Sequence, residues 1–325
     1  MTDIVRMHRT GGPEVLTHDT VTLPPPGAGE ARVRQTWAGV NFVDIYHRTG
    51  LYPMPALPAA PGVEAAGVVE ATGDGVTGLT VGQRVAWAGA PPGGYAQARN
   101  IAADRLLPLP DDIPDETVAA SLLRGLTVHM LLHRVWPVAA GDVILVQAAA
   151  GGLGQLLTSW GKRLGARVIG VVGGEAKAQV ALAAGADAVI DRFAEDFVPA
   201  VRRLTDGRGV DVAFDGVGGT TLTRSLDCVR PFGLVASLGQ AAGALPDMPL
   251  TELGPRRSLA LARPSVLAYA ADPVSYRAGA ADLFSVIRQG LAVNVGEVYP
   301  LREAAAAHRA LESGKTAGSI LLDLS

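Results

Sequence analysis

The run Val143-Ile144-Leu145-Val146-Gln147 leads without a break into Ala148-Ala149-Ala150-Gly151-Gly152-Leu153-Gly154, and a helical pattern follows from Gln155. The apolar run predicts a buried strand, and the small residues after it predict a tight turn onto a helix N-terminus. A strand that feeds a helix directly belongs to βα units, whose right-handed crossovers build a parallel sheet. The junction also constrains chemistry. Small residues let a backbone approach a pyrophosphate, and the helix start offers free N–H groups and a partial positive charge. The spacing Ala148-x-x-Gly151-x-x-Gly154 is a relative of the dinucleotide fingerprint. A strand-to-helix turn that binds nothing has the same pattern, so the other strand ends must decide.

Downstream, β and α signals alternate. Strands are predicted at Arg167 to Val172, Ala188 to Ile190, Val210 to Phe214 and Leu234 to Leu238, with a sixth at the edge over Ser258 to Ala262. The intervening helices include one carrying Leu153, Leu156, Leu157, Trp160 and Leu164 at helical spacing, and one over Ala176 to Ala184 closed by Gly185. The expected fold class is α/β, a doubly wound parallel sheet. Before it, Glu116 to Val135 reads as one helix. The first third reads as short strands between Gly and Pro clusters, with candidates at Ala31 to Trp37, Gly67 to Glu70 and Gln83 to Trp87. That pattern predicts a compact, barrel-like β domain. After Arg263, helices over Val274 to Gln289 and Leu301 to Glu312 alternate with strands near Val295 and over Ser319 to Leu322. This tail is too short for a core of its own and is expected to return to the first domain. The expected domains are thus 1–123 with 264–325, and 124–263.

The predicted strand ends carry Gly151-Gly152, Gly173-Gly174, Asp191-Arg192, Gly216-Val217-Gly218 and Gly239-Gln240. Glycine at several strand ends is what close approach of an extended ligand requires. After the second strand, Glu175 stands at a spacing compatible with the acid that binds an NAD ribose. Lys177 with Arg192 would instead pair a 2′-phosphate. Two cations from separate strand ends favour NADPH.

Composition narrows the alternatives. With 48% hydrophobic and 18% charged residues, the 325-residue chain reads as globular. No apolar run spans a bilayer, and Met1 to Arg6 has no signal-peptide core, so the expected compartment is the cytoplasm. One cysteine, Cys228, excludes a multi-cysteine metal site, and a net charge of −3 argues against nucleic acid as a partner. Cys228 is expected to pack in a helix. His129 and His133 have the i, i+4 spacing of a helical metal pair, but apolar residues fill the gap. His47 reads as a loop histidine, and Asp44 with Arg48 as a local helical ion pair.

The chain resembles the quinone oxidoreductase (zeta-crystallin-like) branch of the zinc-free medium-chain dehydrogenase/reductases. The resemblance is carried by Gly11-Gly12-Pro13-Glu14-Val15-Leu16, by Gly39 to Tyr46, by Gly50-Leu51-Tyr52-Pro53 and by Leu123-Arg124-Gly125-Leu126-Thr127. It continues through Ala148 to Gly154, Ser225 to Cys228 and Arg263-Pro264-Ser265. It implies a GroES-like catalytic domain, a Rossmann domain, a homodimer, and a nicotinamide cofactor in the cleft between the domains. The positions matching the family's cofactor contacts are Asn41, Phe42, Asp44, Tyr46, Thr127, Ala149, Ala150, Gly151, Gly152, Leu153, Gly173, Lys177, Val217, Gly239, Pro264 and Ser265. Two departures stand out. Relatives carry an aromatic residue, usually Tyr, at Arg192, and they lack an acid at Glu175. Zinc-dependent relatives hold metal where this chain has Asn41 and Val63, in Gly62-Val63-Glu64, so no metal is expected.

The resulting expectation is an NADPH-dependent quinone reductase. Asn41 would orient the reactants, and Tyr46 and Tyr52 would stack on a flat ring and donate to a developing oxyanion. Wall packing explains both tyrosines equally well. Reduction of an enone or enal in the same site is the enzymatic rival. A non-catalytic nucleotide-binding or RNA-associated role is the rival of another class.

Overall fold

The computed structural model describes residues 1–325. They form two compact units, Met1–Arg124 with Ala270–Arg288 and Val293–Ser325, and Gly125–Tyr269 with Gln289–Ala292.

The first unit opens with an antiparallel hairpin, β1 (Thr2–Met7) and β2 (Leu16–Val21). Strand β3 (Glu30–Val40) follows, its alternate residues Ala31, Val33 and Gln35 turned inward. Helix α1 (Phe42–Thr49) starts after Asn41 and ends where Gly50 takes a φ of +83°, a left-handed turn that favours glycine. Then come β4 (Glu64–Thr72), β5 (Arg84–Ala88), β6 (Ala98–Ala102), β7 (Leu107–Pro108), helix α2 (Asp115–Ala119) and the start of α3 (Leu122–Met130), which continues into the second unit from Gly125.

In the second unit six parallel strands build one sheet. They are β8 (Val143–Gln147), β9 (Arg167–Val172), β10 (Ala188–Asp191), β11 (Val210–Asp215), β12 (Val229–Ser237) and β13 (Ala260–Ala262), in the order β10-β9-β8-β11-β12-β13. The crossovers are α4 (Gly152–Arg163), α5 (Glu175–Ala183), α6 (Phe197–Leu204) and α7 (Gly219–Leu226). The chain winds outward from β8 to β10 and then returns to β11 on the other side of β8. That reversal is the switch point beside which open sheets bind ligands, at the strands' carboxyl ends.

The tail supplies α8 (Val266–Ala271), α9 (Pro273–Arg288), β14 (Val295–Pro300), α10 (Ala304–Glu312) and β15 (Ser319–Asp323). In the first unit the sheet runs β14-β15-β3-β4-β5-β7, with β6 also on β3. One edge of β3 serves two partners, β6 along Glu30 to Arg34 and β15 along Trp37 to Val40. Register shifts near Val33 and Trp37 let the strand bend between them. Its core joins Val33, Val40, Val69 and Trp87 to Leu301, Ala307, Ile320 and Leu322 of the tail.

Three local expectations are corrected. The helix expected over Glu116 to Val135 is broken after Ala119, because the buried Glu64 carboxylate accepts the Leu123 N–H at 2.7 Å and starts a new helix there. It ends in a π turn over Leu131–Val135, where Trp136 N reaches Leu131 O and Pro137 ends the run. Cys228 lies in the turn between α7 and β12 rather than in a helix, and burial pushes its thiol up to about 12.

Leu322 is fully buried in the strand that the tail inserts between β14 and β3. Leu322→Ala is expected to cost about 2–5 kcal/mol. Urea unfolding would show this as a lower midpoint with an unchanged slope.

Candidate functional site

In the second unit, acid side chains at strand ends shape the loops that follow. After β8, Ala148 is held at φ +54°, an uncommon conformation for a residue with a Cβ. Gly151 N donates to Ala148 O, Ala149 N to Val171 O, and Gln155 Nε2 to Ala150 O. A Cβ on Gly154 would lie 2.7 Å from Ala149 Cα and closer still to Ala148 O, so α4 packs tightly against the turn only with glycine there. The leading N–H groups of α4 are left without intrahelical acceptors.

At the end of β10, Asp191 Oδ1 accepts from Gly174 N at 2.8 Å and from Phe193 N at 3.0 Å. These backbone bonds hold its carboxyl below the usual range. Asp215, at the end of β11, does the same for the next loop. Its Oδ1 accepts from Val217 N and Gly218 N, both at 2.9 Å, and its Oδ2 from Ser225 Oγ at 2.8 Å. Gln147 Nε2 joins this set through Ser225 Oγ at 3.2 Å. At the end of β12, Arg263 Nη1 donates to Ser237 Oγ at 2.9 Å and Gly239 O at 3.3 Å.

Six strand ends thus carry expected cofactor positions: Ala149, Ala150, Gly151, Gly152 and Leu153; Gly173 and Lys177; Arg192; Val217; Gly239; Pro264 and Ser265. Thr127 lies on α3. Lys177 and Arg192 are neighbours: burial first, and then the Arg192 charge, push the Lys177 ammonium below its usual range. Glu175 is exposed at the first position of α5. Gly174 and Gly216 have open space where a Cβ would stand. A cavity of about 500 Å³ adjoins this end of the sheet, lined by Gln147, Arg192, Phe193, Thr220, Thr221 and Arg224. Glycine loops, helix-start N–H groups and paired cations fit an extended dinucleotide with a terminal phosphate.

In the first unit, Asn41 is followed by an aromatic group on and after α1. Tyr46 and Tyr52 meet edge to face at 5.2 Å, with Phe42 at 6.3 Å from Tyr46. His47 is a buried helical residue, not a loop one; its ring lies 6.2 Å from Tyr52, and burial pushes its imidazole down. Asp44, expected among the cofactor contacts, is fully buried behind Asn41. Its Oδ2 accepts from Asn41 N at 2.8 Å and Tyr95 Oη at 3.3 Å. Arg48 is ion-paired to Glu312 across the unit rather than to Asp44.

The positions that hold zinc in metal-dependent relatives do not suit a metal here. Val63 has no ligating side-chain atom. Asn41 turns its Nδ2 to Glu64 Oε1 at 2.7 Å, and Glu64 also takes Leu123 N and stands 3.6 Å from Arg124 Nη1. Each carboxylate oxygen thus accepts one N–H, with the Arg124 guanidinium nearby. The sequence singles out Glu64 only as a lone carboxylate unable to assemble a zinc site, and it does not single out Tyr95 or His308. A charged residue inside the apolar run Val63-Glu64-Ala65-Ala66-Gly67-Val68-Val69 is the signal that marks Glu64 as buried and structural.

His129 and His133 stack with ring centres 4.6 Å apart, and His129 Nδ1 lies 2.6 Å from Tyr269 Oη. Trp160 packs on both rings, and no third metal ligand joins them.

Two family models match the chain, the alcohol dehydrogenase GroES-like domain over residues 27–111 and the zinc-binding dehydrogenase over residues 152–271. Quinone oxidoreductase 1 of Escherichia coli strain K12 is 42% identical over 321 residues, 98% of each chain. The 2-haloacrylate reductase of a Burkholderia species is 42% identical over 324 residues, 97% of each chain. The crystal structure of the Escherichia coli quinone oxidoreductase complexed with NADPH superposes with a TM-score of 0.96 at 41% identity, covering 99% of this chain and 100% of that one.

Burial, and then the Glu64 charge, raise the Asp44 carboxyl from 3.8 to about 7. The native state therefore holds a proton that the unfolded chain releases between those values, so Asp44 favours folding at low pH and loses that contribution as pH rises through 7. His308, pushed down to about 3 by burial and Arg48, works in the opposite direction below its unfolded value. A difference measurement separates them. Asp44→Asn is expected to match the wild type near pH 4 and to gain up to about 4 kcal/mol relative to it by pH 8, at about 1.4 kcal/mol per pH unit. Denaturant melts of both proteins across this range check it.

Proposed function

The chain belongs to the quinone oxidoreductase family of the zinc-free medium-chain dehydrogenase/reductases, and from that premise we propose that it is an NADPH-dependent quinone reductase. The observation that carries this reading is the conjunction of six loop-bearing strand ends with Lys177 beside Arg192.

NADPH supplies a hydride from its nicotinamide when bound. The α4 N-terminus and the glycine loops would hold its pyrophosphate, and Lys177 with Arg192 its 2′-phosphate. Val217, Gly239, Pro264, Ser265 and Thr127 would line the rest of its path. Asn41 would orient the reactants, its amide held in place by Nδ2 on Glu64 Oε1. Phe42, Tyr46 and Tyr52 would form an aromatic wall for a flat ring, and a tyrosine hydroxyl there would steady a developing oxyanion. Quinones suit such a site because they accept hydride readily without a Lewis acid, so holding the reactants close in a dry site suffices. The relative named 2-haloacrylate reductase favours a second reading, reduction of an activated carbon–carbon double bond in the same site. We also propose a homodimer, which the short edge strand β13 supports by offering unpaired backbone groups, and a cytoplasmic location.

Loss of NADPH absorbance with 1,4-benzoquinone, naphthoquinones, short enals and 2-haloacrylates as acceptors tests the reading, with quinones expected to turn over fastest. Lys177→Ala and Arg192→Ala are each expected to lower kcat/KM for NADPH about tenfold, the worth of one charge-assisted phosphate contact. NADH turnover should change less than twofold. An equal drop with both cofactors would sink the phosphate assignment.

A further inference from the structure

A line of buried polar side chains runs from α10 to the residue that starts α1. Arg48, His308, Tyr95 and Asp44 are each 2% exposed or less. Arg48 Nη1 lies 3.3 Å from His308 Nδ1, a partner 260 residues away in sequence. His308 Nε2 lies 2.9 Å from Tyr95 Oη, and Tyr95 Oη 3.3 Å from Asp44 Oδ2. Asp44 Oδ2 in turn lies 2.8 Å from Asn41 N. At its outer end Arg48 is fixed by Glu312 and by Gly11 O.

Chemistry gives this line one direction. A guanidinium only donates, so His308 Nδ1 must accept and the ring proton must sit on Nε2. Nε2 then donates to Tyr95 Oη. The tyrosine has one proton to give, and it goes to Asp44 Oδ2, which also accepts the Asn41 N–H. Each tautomer and rotor is set by the group before it. The Asn41 side chain is anchored separately, through Nδ2 on Glu64.

Stability alone is a poor reason for such an arrangement. Asp44 and Glu64 are both fully buried, and apolar replacements of buried ionic groups commonly fold as well or better. What the arrangement achieves is to hold one residue at two points, its backbone by Asp44 and its amide by Glu64.

We infer that Tyr95 and His308 are positioning residues, which set Asp44 and through it the backbone of Asn41 for presentation to the bound reactants. The inference rests on the proposed place of Asn41 in the reacting site. It adds that the geometry of this residue is dictated from the C-terminal helix.

The test compares Asn41→Ala, Tyr95→Phe, His308→Leu and His308→Gln in the full chain, with NADPH and 1,4-benzoquinone. Rates are taken per NADPH-binding site, so that unfolded protein does not count. Tyr95→Phe and His308→Leu are expected to lower kcat about tenfold, within the range that misplacing a reacting-site group costs, while KM for NADPH changes less than twofold. Glutamine can accept from Arg48 through its oxygen and donate to Tyr95 through its nitrogen, so His308→Gln is expected to stay within twofold of wild type. If His308→Leu fails to fold, Tyr95→Phe carries the comparison. Wild-type kcat in Tyr95→Phe, with a large loss in Asn41→Ala, overturns the inference and leaves the Asn41 reading intact. Full activity in Asn41→Ala overturns that reading and the inference with it. Equal losses in His308→Gln and His308→Leu overturn the directional argument.

Discussion

The buried Glu64 carboxylate is the interaction on which the first unit's candidate site depends. It sits on β4 with no exposed surface, a placement that costs several kcal/mol unless every lone pair finds a donor. Two donors and one countercharge meet it. Leu123 N begins α3, Asn41 Nδ2 comes from the start of α1, and Arg124 brings a compensating charge while donating to Val40 O and Ala120 O. One acid therefore fixes a strand, two helix starts and the end of β3. It also decides what the site is not. A carboxylate engaged on both oxygens and charge-paired with Arg124, beside an amide and a valine, does not make the three-ligand set that a catalytic zinc needs.

The second unit uses the same device at its strand ends. Asp191 and Asp215 spend their oxygens on backbone N–H groups of the loops that follow or adjoin them, and Arg263 binds carbonyls of the β12 loop. A loop that must stay open for a ligand cannot be packed from the ligand side. These side chains hold it from the protein side instead. At the same end of the sheet, burial and then the Arg192 charge press the Lys177 ammonium below its usual range.

Much of this was legible in the sequence because it follows local rules. The apolar run Val143 to Gln147, the glycines at 151, 152 and 154, and the alternation that follows are nearest-neighbour patterns with a fixed period. Strand-end positions such as Arg192 and Val217 then come from counting. Other features were not legible. The hairpin strand β2, Leu-Thr-His-Asp-Thr-Val, is half-exposed and shows little apolar alternation. The break between α2 and α3 depends on an acid 59 residues earlier in the chain. Arg48 was read with Asp44, four residues away, but its partners are His308 and Glu312, because burial in the tertiary fold outweighs a helical i, i+4 contact worth a few tenths of a kcal/mol. Single polar residues joined across hundreds of positions leave no periodic trace.

With the metal position given over to Asn41 and Val63, beside the internally bonded Glu64, a quinone reductase of this kind moves reducing equivalents from NADPH with side chains and backbone alone. The most direct measurement is 1,4-benzoquinone turnover by protein dialysed against a strong chelator, with zinc content determined on the same sample. Undiminished NADPH-dependent turnover at far below one zinc per chain is the predicted result. Activity that disappears on chelation and returns in proportion to added zinc would contradict it.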